Sequence, residues 1–237
     1  LMIILVSPIC LLSQKNNSIE LKSHVINNNH TRSTFIVGPG QTYDIIGQAI
    51  NAASAGDTIR VYAGMYPEHL VISKPLSFIG NGSEATILDG TNNGDVVMIT
   101  TSWVNFTGFK VQHSGILNWQ NQYSGIKLCG VHNCKIENNN VSENGKGIFI
   151  SSSDNNTIEN NTISLNDDGI YLYFSTHNII ANNVANLNDF HAGISLTFSN
   201  NNTIFNNNVS GKNERGITLY DSSNDNTITN NTVNSNE

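Results

Sequence analysis

The sequence carries little charge, and most of that charge is negative. Asp, Glu, Lys and Arg make up only 12% of its 237 residues, and the formal net charge is −7. Proteins that bind nucleic acid take much of their affinity from a basic surface that meets the phosphate backbone. We therefore expect no nucleic-acid partner for this chain.

Long hydrophobic runs are scarce as well. A transmembrane helix needs about 20 consecutive apolar residues, whereas the apolar run at residues 1–12 is shorter and contains Pro8. Such a run suits the apolar part of a secretory signal. Because the chain begins with Leu1 and lacks the preceding basic residues, we expect a clipped signal segment over 1–20 and a polar linker over 21–33. These segments predict export to the extracellular space, the cell surface or the periplasm. The alternative is a buried N-terminal strand, which Pro8 disfavours.

A helical pattern is absent from the C-terminal half, where a repeat takes its place. Each repeat has three short runs of alternating apolar residues, and a Gly-Ile pair recurs after 22, 22, 24 and 23 residues. A period of this length is typical of stacked identical units, and three strands with three turns make one coil of a parallel β-solenoid. The pairs are Gly125-Ile126, Gly147-Ile148, Gly169-Ile170, Gly193-Ile194 and Gly216-Ile217.

The six-residue period of left-handed hexapeptide solenoids is also missing. We therefore predict an all-β, right-handed parallel β-helix of 22–24-residue coils, with about seven coils over residues 34–237. Roughly forty residues are Asn, a bias that also occurs in disordered low-complexity segments. The regular spacing of Ile, Val and Leu argues against disorder, so the Asn residues indicate frequent turns.

An Ile-x-Asn unit keeps step with the Gly-Ile pairs and predicts a column of Asn side chains at one turn. We expect these amides to point inward and to bond turn backbone that is cut off from water. Glycine before each Ile is expected to tolerate a strained turn conformation. The predicted ladder consists of Asn138, Asn160, Asn182, Asn206 and Asn230.

The two ends of the repeat region differ. Near residues 43–54 an amphipathic pattern predicts one helix that caps the N-terminal end of the core. The last coil stops where the next Gly-Ile strand should begin, so we expect the domain over 34–237 to be truncated at its C-terminus. The residues that share the apolar face of the helix are Ile46, Ala49, Ile50 and Ala53.

Three segments, at 38–43, 55–68 and 74–80, resemble the first part of pectin-lyase-like right-handed β-helix proteins. The later Asn-Thr-Ile and Gly-Ile repeats are similar to NosD-type periplasmic copper-binding repeats. They are also similar to the carbohydrate-binding and sugar-hydrolysis repeat domains of microbial and archaeal surface proteins. The resemblance covers 34–237 and implies the fold. Calcium or copper enters as a cofactor only through this resemblance, since the residues alone make no cofactor site evident.

Aromatic and polar residues are expected to share the outer face of the Gly-Ile strands, where alternate residues face solvent. Rings beside carboxylates and amides suit a sugar, because pyranose faces stack on rings and hydroxyls bond to polar groups. The alternative is a solvated strand face with aromatics of ordinary β propensity. The two outward columns are Lys127, Phe149, Tyr171, Ser195, Thr218 and Cys129, Ser151, Tyr173, Thr197, Tyr220, and the candidate sugar contacts are Phe149, Tyr171, Tyr173 and Tyr220.

Four residues beside the Gly-Ile pairs are candidates for catalysis: Asp167, Asp168, His191 and Arg215. Their order loosely resembles the acid, His and Arg order of polygalacturonase-type glycoside hydrolases. Such hydrolysis needs two carboxyl groups about 5–10 Å apart. The match is incomplete, because Lys146 follows Asn-Gly where that family has its first Asp, and no Lys follows Arg215 closely. A lyase would need a base, for which Lys146 or Arg215 is a candidate, and carboxylates for calcium. The alternative is that all four candidates occupy variable turn positions.

Cysteine is scarce, with three residues in the chain. Cys129, His132 and Cys134 offer soft ligands suited to copper or zinc. Two alternatives remain, since in an exported protein the two cysteines form a short-loop disulfide or are small buried thiols. Cys134 occupies the place that Asn156 has in the next coil, which favours a packing role.

Three functions follow from these patterns. The first is a secreted or cell-surface β-helix that binds polysaccharide or cell-envelope partners without catalysis. The second is a polysaccharide hydrolase or lyase, and the third is a NosD-like periplasmic copper-accessory protein. The binding role is favoured, because the repeat explains almost every residue and no coil presents a complete catalytic set. The sequence does not set the oligomeric state.

Overall fold

The computed structural model describes residues 31–118, 121–211 and 213–236. The predicted signal segment over 1–20 and most of the predicted linker over 21–33 lie outside these residues. Within them the regular structure consists of one helix, α1 (Ile46–Ala52), and β-strands. No helix in this part of the chain is long and apolar enough to cross a membrane.

Successive coils contribute strands to three parallel sheets, which we call A, B and C. Sheet A contains β1 (Thr34–Val37), β2 (Thr58–Val61), β5 (Ser77–Gly80), β8 (Asn105–Thr107), β13 (Lys135–Glu137), β16 (Thr157–Glu159), β19 (Ile179–Ala181), β22 (Thr203–Phe205) and β24 (Thr227–Thr229). Sheet B contains β3 (Gly64–Tyr66), β6 (Thr86–Asp89), β9 (Lys110–Gln112), β14 (Asn140–Ser142), β17 (Thr162–Ser164) and β20 (Val184–Asn186). Sheet C contains β4 (Leu70–Ile72), β7 (Val97–Ile99), β12 (Ser124–Cys129), β15 (Lys146–Ser151), β18 (Asp168–Tyr173), β21 (Ala192–Thr197) and β23 (Arg215–Tyr220). A separate antiparallel pair, β10 (Ile116–Asn118) and β11 (Asn121–Gln122), precedes β12.

The strands of each sheet pair in the register that the Gly-Ile repeat predicts. Ile148 lies opposite Ile126 in the preceding coil and opposite Ile170 in the following one. All three Ile side chains are fully buried, so stacked coils share one continuous apolar core. The right-handed parallel β-helix is confirmed. It has about eight turns, one more than predicted.

The N-terminal end of the core is covered by α1, as predicted, although the helix is shorter than residues 43–54. Ile46, Ala49 and Ile50 are buried against the first coils. The Glu68 carboxylate accepts hydrogen bonds from the backbone amides of Ile46 and Gly47, at 2.8 and 2.9 Å. Because the first amides of a helix have no partner inside the helix, this carboxylate holds α1 in place over the core.

The predicted Asn ladder is wrong by one residue. The five Asn residues of the predicted column are exposed, and each has a left-handed backbone with φ of 54–55°. The next residue in each coil forms the ladder instead. The amide of Asn161, for example, donates to the carbonyl oxygen of Ile136 at 2.9 Å. Asn is among the few residues that adopt the left-handed conformation readily, so the first Asn of each pair makes the turn and the second one points inward. The exposed set is Asn138, Asn160, Asn182, Asn206 and Asn230, and the ladder is Asn139, Asn161, Asn183, Asn207 and Asn231.

The other turns carry ladders that the sequence analysis did not predict. In each ladder, the backbone N–H of a residue in one coil donates a hydrogen bond to the side-chain oxygen of the corresponding residue in the next coil. These bonds satisfy turn backbone that is buried away from water. Two ladders are of Asn and one is of Ser: Asn144, Asn166, Asn188, Asn213, Asn236; Asn156, Asn178, Asn202, Asn226; and Ser153, Ser175, Ser199, Ser223.

The glycines of the Gly-Ile pairs are needed for space rather than for turn conformation, which corrects the prediction. None of these five glycines has a positive φ. A Cβ on Gly147 would lie 2.6 Å from the carbonyl oxygen of Gly169 and 3.0 Å from Nδ2 of Asn166. Glycine therefore allows the ladder Asn and the next coil to approach the strand closely.

Candidate functional site

Both predicted columns lie on sheet C, but most of their residues are not exposed to solvent as predicted. Of the ten, Tyr220 is exposed, Phe149, Tyr171 and Thr218 are half-buried, and the rest are buried: Lys127, Cys129, Ser151, Tyr173, Ser195 and Thr197. Five of its strands, β12, β15, β18, β21 and β23, are six residues long, whereas the strands of sheets A and B have three or four residues. Phe149 lies between Lys127 and Tyr171, and Ser151 lies between Cys129 and Tyr173. We call the outward residues of these five strands the sheet C face.

Two lysines lie beside Phe149 on this face. The Lys127 ammonium is 3.3 Å from Oδ2 of Asp95, and both side chains are nearly buried. Nζ of Lys127 and Nζ of Lys146 each lie 5.8 Å from the centre of the Phe149 ring, within the range of cation–π attraction. Burial lowers the pKa of Lys146, although the charge of Asp168 opposes this shift. The face therefore places two lysine side chains within cation–π distance of one aromatic ring.

The predicted catalytic residues fall into two groups. Nδ1 of His191 is 3.3 Å from Oδ1 of Asp168, and this bond raises the pKa of His191. Burial, together with the negative charges of Asp168 and Asp189, raises the pKa of Asp167. The Arg215 guanidinium instead contacts the Tyr220 hydroxyl at 2.8 Å, and Glu214 at 3.0 Å. The structure thus brings Asp167, Asp168 and His191 together, and it directs Arg215 toward Tyr220 and Glu214.

The four predicted sugar contacts differ in accessibility. Phe149 and Tyr171 are half-buried and stacked, with ring centres 5.3 Å apart and an angle of 13°. Burial raises the pKa of Tyr171 to about 12. Tyr173 is only 6% exposed, whereas Tyr220 is 43% exposed. Tyr173 is therefore a packing residue for the most part, and Tyr220 is the most accessible ring of the four.

Two further aromatic residues, Phe174 and Phe198, were not predicted. They follow β18 and β21, and their rings are 50% and 38% exposed. The two rings are stacked, 4.8 Å apart at 7°, and Tyr173 packs edge-on against Phe174. The sequence does contain a signal for them: a large apolar residue occupies the first turn position after the strand, where an earlier coil has the polar residue Ser152.

The cysteine cluster does not form the predicted sites. Cys134 is a free, buried thiol, so a disulfide between Cys129 and Cys134 is wrong. Burial raises the pKa of Cys134 to about 11. Its backbone N–H donates to Oδ1 of Asn156 at 2.9 Å, so the predicted place of Cys134 at the start of an Asn column is confirmed. His132 is exposed, with its ring edge-on to Trp103 at 6.1 Å.

One known protein family matches most of this chain. The family described as periplasmic copper-binding protein (NosD) matches residues 16–237. The chain belongs to the NosD family. No protein of curated function gives a significant match.

Solved structures that resemble this NosD-family chain show the fold alone, because their sequence identities are low. The catalytic domain of a GH87 α-1,3-glucanase, in complex with nigerose, has a TM-score of 0.68 at 18% identity, over 84% of this chain and 39% of the glucanase chain. ORF18 of Geobacillus virus E2 has a TM-score of 0.59 at 17% identity, over 69% of this chain and 38% of its own. An alginate lyase from Paenibacillus sp. str. FPU-7 has a TM-score of 0.55 at 15% identity, over 87% of this chain and 98% of the lyase. The chain thus spans less than half the length of the glucanase chain and of the ORF18 chain.

The family description names copper, and the residues of this chain do not fit a copper site at the predicted position. Cysteine binds a metal as the thiolate, and burial raises the pKa of the Cys134 thiol to about 11, which disfavours that form. The Cys134 sulfur instead lies near the carbonyl oxygen of Thr101, at 3.5 Å. Within residues 31–118, 121–211 and 213–236, no group of three or more His, Cys, Asp or Glu side chains is placed to hold a metal ion.

Proposed function

We propose that this NosD-family chain is an exported protein that binds a polysaccharide on the sheet C face without cleaving it. The observation that carries the proposal is the stacked Phe149–Tyr171 pair, with the Lys127 and Lys146 ammoniums beside it. Ligand sites of this kind combine aromatic surface with a few polar groups that fix orientation. Sugars match such a surface, because a pyranose has an apolar face and a rim of hydroxyls.

Binding is favoured over cleavage because several charged groups of the face bond one another. Lys127 pairs with Asp95, and Asp168 pairs with His191. A carboxyl group that serves as general acid must deliver its proton to the glycosidic oxygen. Asp168 is largely buried and bonded to His191, so it is poorly placed to do this. The periplasm named by the family description is consistent with export.

The test of this function is a binding assay with polysaccharides. The protein would be run through gels that contain pectin, alginate or α-1,3-glucan, and retardation would be measured. A few exposed contacts predict dissociation constants from about 100 μM to a few mM. Tyr171→Ala should abolish retardation, whereas Phe205→Ala, which removes a half-buried ring from sheet A, should not. A folded parent protein that is retarded by none of a broad panel of polysaccharides would refute the proposal.

A second candidate is glycoside hydrolysis, because one observation favours it. Asp167 and Asp168 are adjacent carboxyl groups, and burial raises the pKa of Asp167, which is the direction that a general acid requires. Prolonged incubation with the same polysaccharides would then release reducing ends, and Asp168→Asn would abolish the release. Unsaturated products lost on Lys146→Ala would indicate a lyase instead.

A further inference from the structure

The turns after the five six-residue strands of sheet C, β12, β15, β18, β21 and β23, share one backbone conformation at their first residue. The first residue of the turn is left-handed in each, with φ between 45° and 66°. In three of these coils the N–H of this residue bonds to the next coil: Gly130 to the carbonyl oxygen of Ser151 at 3.0 Å, Ser152 to that of Tyr173 at 2.9 Å and Phe174 to that of Thr197 at 3.1 Å. The five residues of this turn column are Gly130, Ser152, Phe174, Phe198 and Asp221.

Phenylalanine is a poor choice for this backbone. Gly, Asn and Asp enter the left-handed region most readily, and a bulky residue there is an outlier. Gly130 and Ser152 hold the same conformation and make the same backbone bond to the next coil. The backbone therefore has no need of Phe174 or Phe198.

Burial does not account for the two rings either. Phe174 is 50% exposed and Phe198 is 38% exposed, so a large part of each ring remains in water. The rings stack on each other, and Tyr173 touches their edges. The stack ends on both sides at smaller side chains, Ser152 and Asp221, which leaves room beside the outer ring faces.

We propose that Phe174 and Phe198 form a stacking subsite for a pyranose ring at the edge of the sheet C face. This inference rests on the proposed polysaccharide binding and extends it to a turn that the sequence analysis did not consider. The apolar face of the sugar would lie on an exposed ring. Tyr220 and Asp221 continue the same edge in the next coil. The Tyr220 hydroxyl, which accepts a hydrogen bond from Arg215, would donate one to a sugar hydroxyl, and the Asp221 carboxylate would accept one from another sugar hydroxyl. A sugar is favoured over an apolar partner because the patch is only two rings wide and has polar neighbours.

The experiment compares two double variants that relieve the same backbone strain. Phe174→Asn with Phe198→Asn changes the proposed subsite. Leu165→Asn with Leu187→Asn is the matched control at the other end of the strands, where φ is 59° and 56° and the side chains are 56% and 41% exposed. Both variants should unfold at a denaturant concentration equal to or above that of the parent, because Asn suits this conformation. Only the Phe variant should lose polysaccharide binding, by at least tenfold in the dissociation constant.

The outcomes separate this inference from the proposed function. Unchanged binding in the Phe variant, while the parent binds polysaccharide, overturns the subsite alone. A Phe variant that unfolds more readily than the parent, beside a stable Leu variant, shows that the rings serve the fold and also overturns it. Phe174→Tyr with Phe198→Tyr should keep binding within threefold, and its loss would contradict ring stacking. A parent protein that binds no polysaccharide overturns both proposals.

Discussion

The side-chain amide of Asn161 donates to Oδ1 of Asn183, one coil further along, at 3.1 Å. The same amide donates to the carbonyl oxygen of Ile136, and Oδ1 of Asn161 accepts the backbone N–H of Asn139. One buried side chain thus connects three coils. Such ladders satisfy the buried turns of the β-helix and make each coil dependent on its neighbours.

Replacing the inward Asn of a pair should be costly, whereas replacing the outward one should not. Asn161→Leu removes the side-chain hydrogen bonds to the Ile136 carbonyl oxygen and to the backbone N–H of Asn139. A buried N–H left unpaired in this way costs about 1–3 kcal/mol. Asn160→Gly keeps the left-handed turn and should change the free energy of unfolding by about 0.5 kcal/mol or less. Urea unfolding of the two variants measures the difference. Equal stabilities would show that the ladder is not at this position.

Substitution of Gly147 should destabilise the protein by crowding. In Gly147→Ala the new Cβ would lie 2.6 Å from both the Gly169 carbonyl oxygen and Cγ2 of Ile163, so the coils must shift apart. Overpacking of this kind costs about 1–3 kcal/mol. Gly40→Asn is a suitable control, because Gly40 has φ of 73° and nothing lies within 4 Å of an added Cβ. Thermal unfolding of both variants gives the comparison, and a Gly147→Ala protein as stable as the parent would contradict the close approach.

His113 should make stability depend on pH. Its ring joins three coils, with Nδ1 at 2.9 Å from Asp89 and Nε2 at 3.2 Å from Glu143. The bond to Asp89 raises the pKa of His113. Because the folded pKa is above the unfolded value of about 6.5, this contribution is fully present below pH 6.5 and is lost as pH rises through the folded pKa.

The measurement is urea unfolding between pH 5.5 and 9. The parent should lose stability relative to His113→Gln as the pH rises, and NMR titration of the ring should give a raised pKa. His177→Gln is the control, since His177 is exposed and its ring bonds only to Thr176 among the contacts described. Parallel pH profiles for the parent and His113→Gln would rule out the bridge.

Cys134 should be inert to thiol reagents in the folded protein. Its thiol is buried, and its pKa of about 11 leaves almost no thiolate at pH 8. Labelling with iodoacetamide at pH 8, with the site located by mass spectrometry, should leave Cys134 unmodified until denaturant is added. Rapid labelling without denaturant would place the thiol at the surface and reopen the metal hypothesis.

The sequence alone determined the coil and its register. In a solenoid, residues one repeat apart in the sequence stack on each other in neighbouring coils, so the spacing of the Gly-Ile pairs gives the register. The Gly-Ile period was enough to place Phe149 between Lys127 and Tyr171, and the apolar face of α1 was enough to place the cap. Only the tertiary structure decided the direction of side chains at the turns. Asn160 and Asn161 are the same residue type, so the sequence does not distinguish them. The left-handed backbone of Asn160 directs its side chain outward and the side chain of Asn161 inward. Likewise, the exposure of Phe174 and the burial of Tyr173 depend on where the strand ends, and a single residue in the left-handed conformation sets that point.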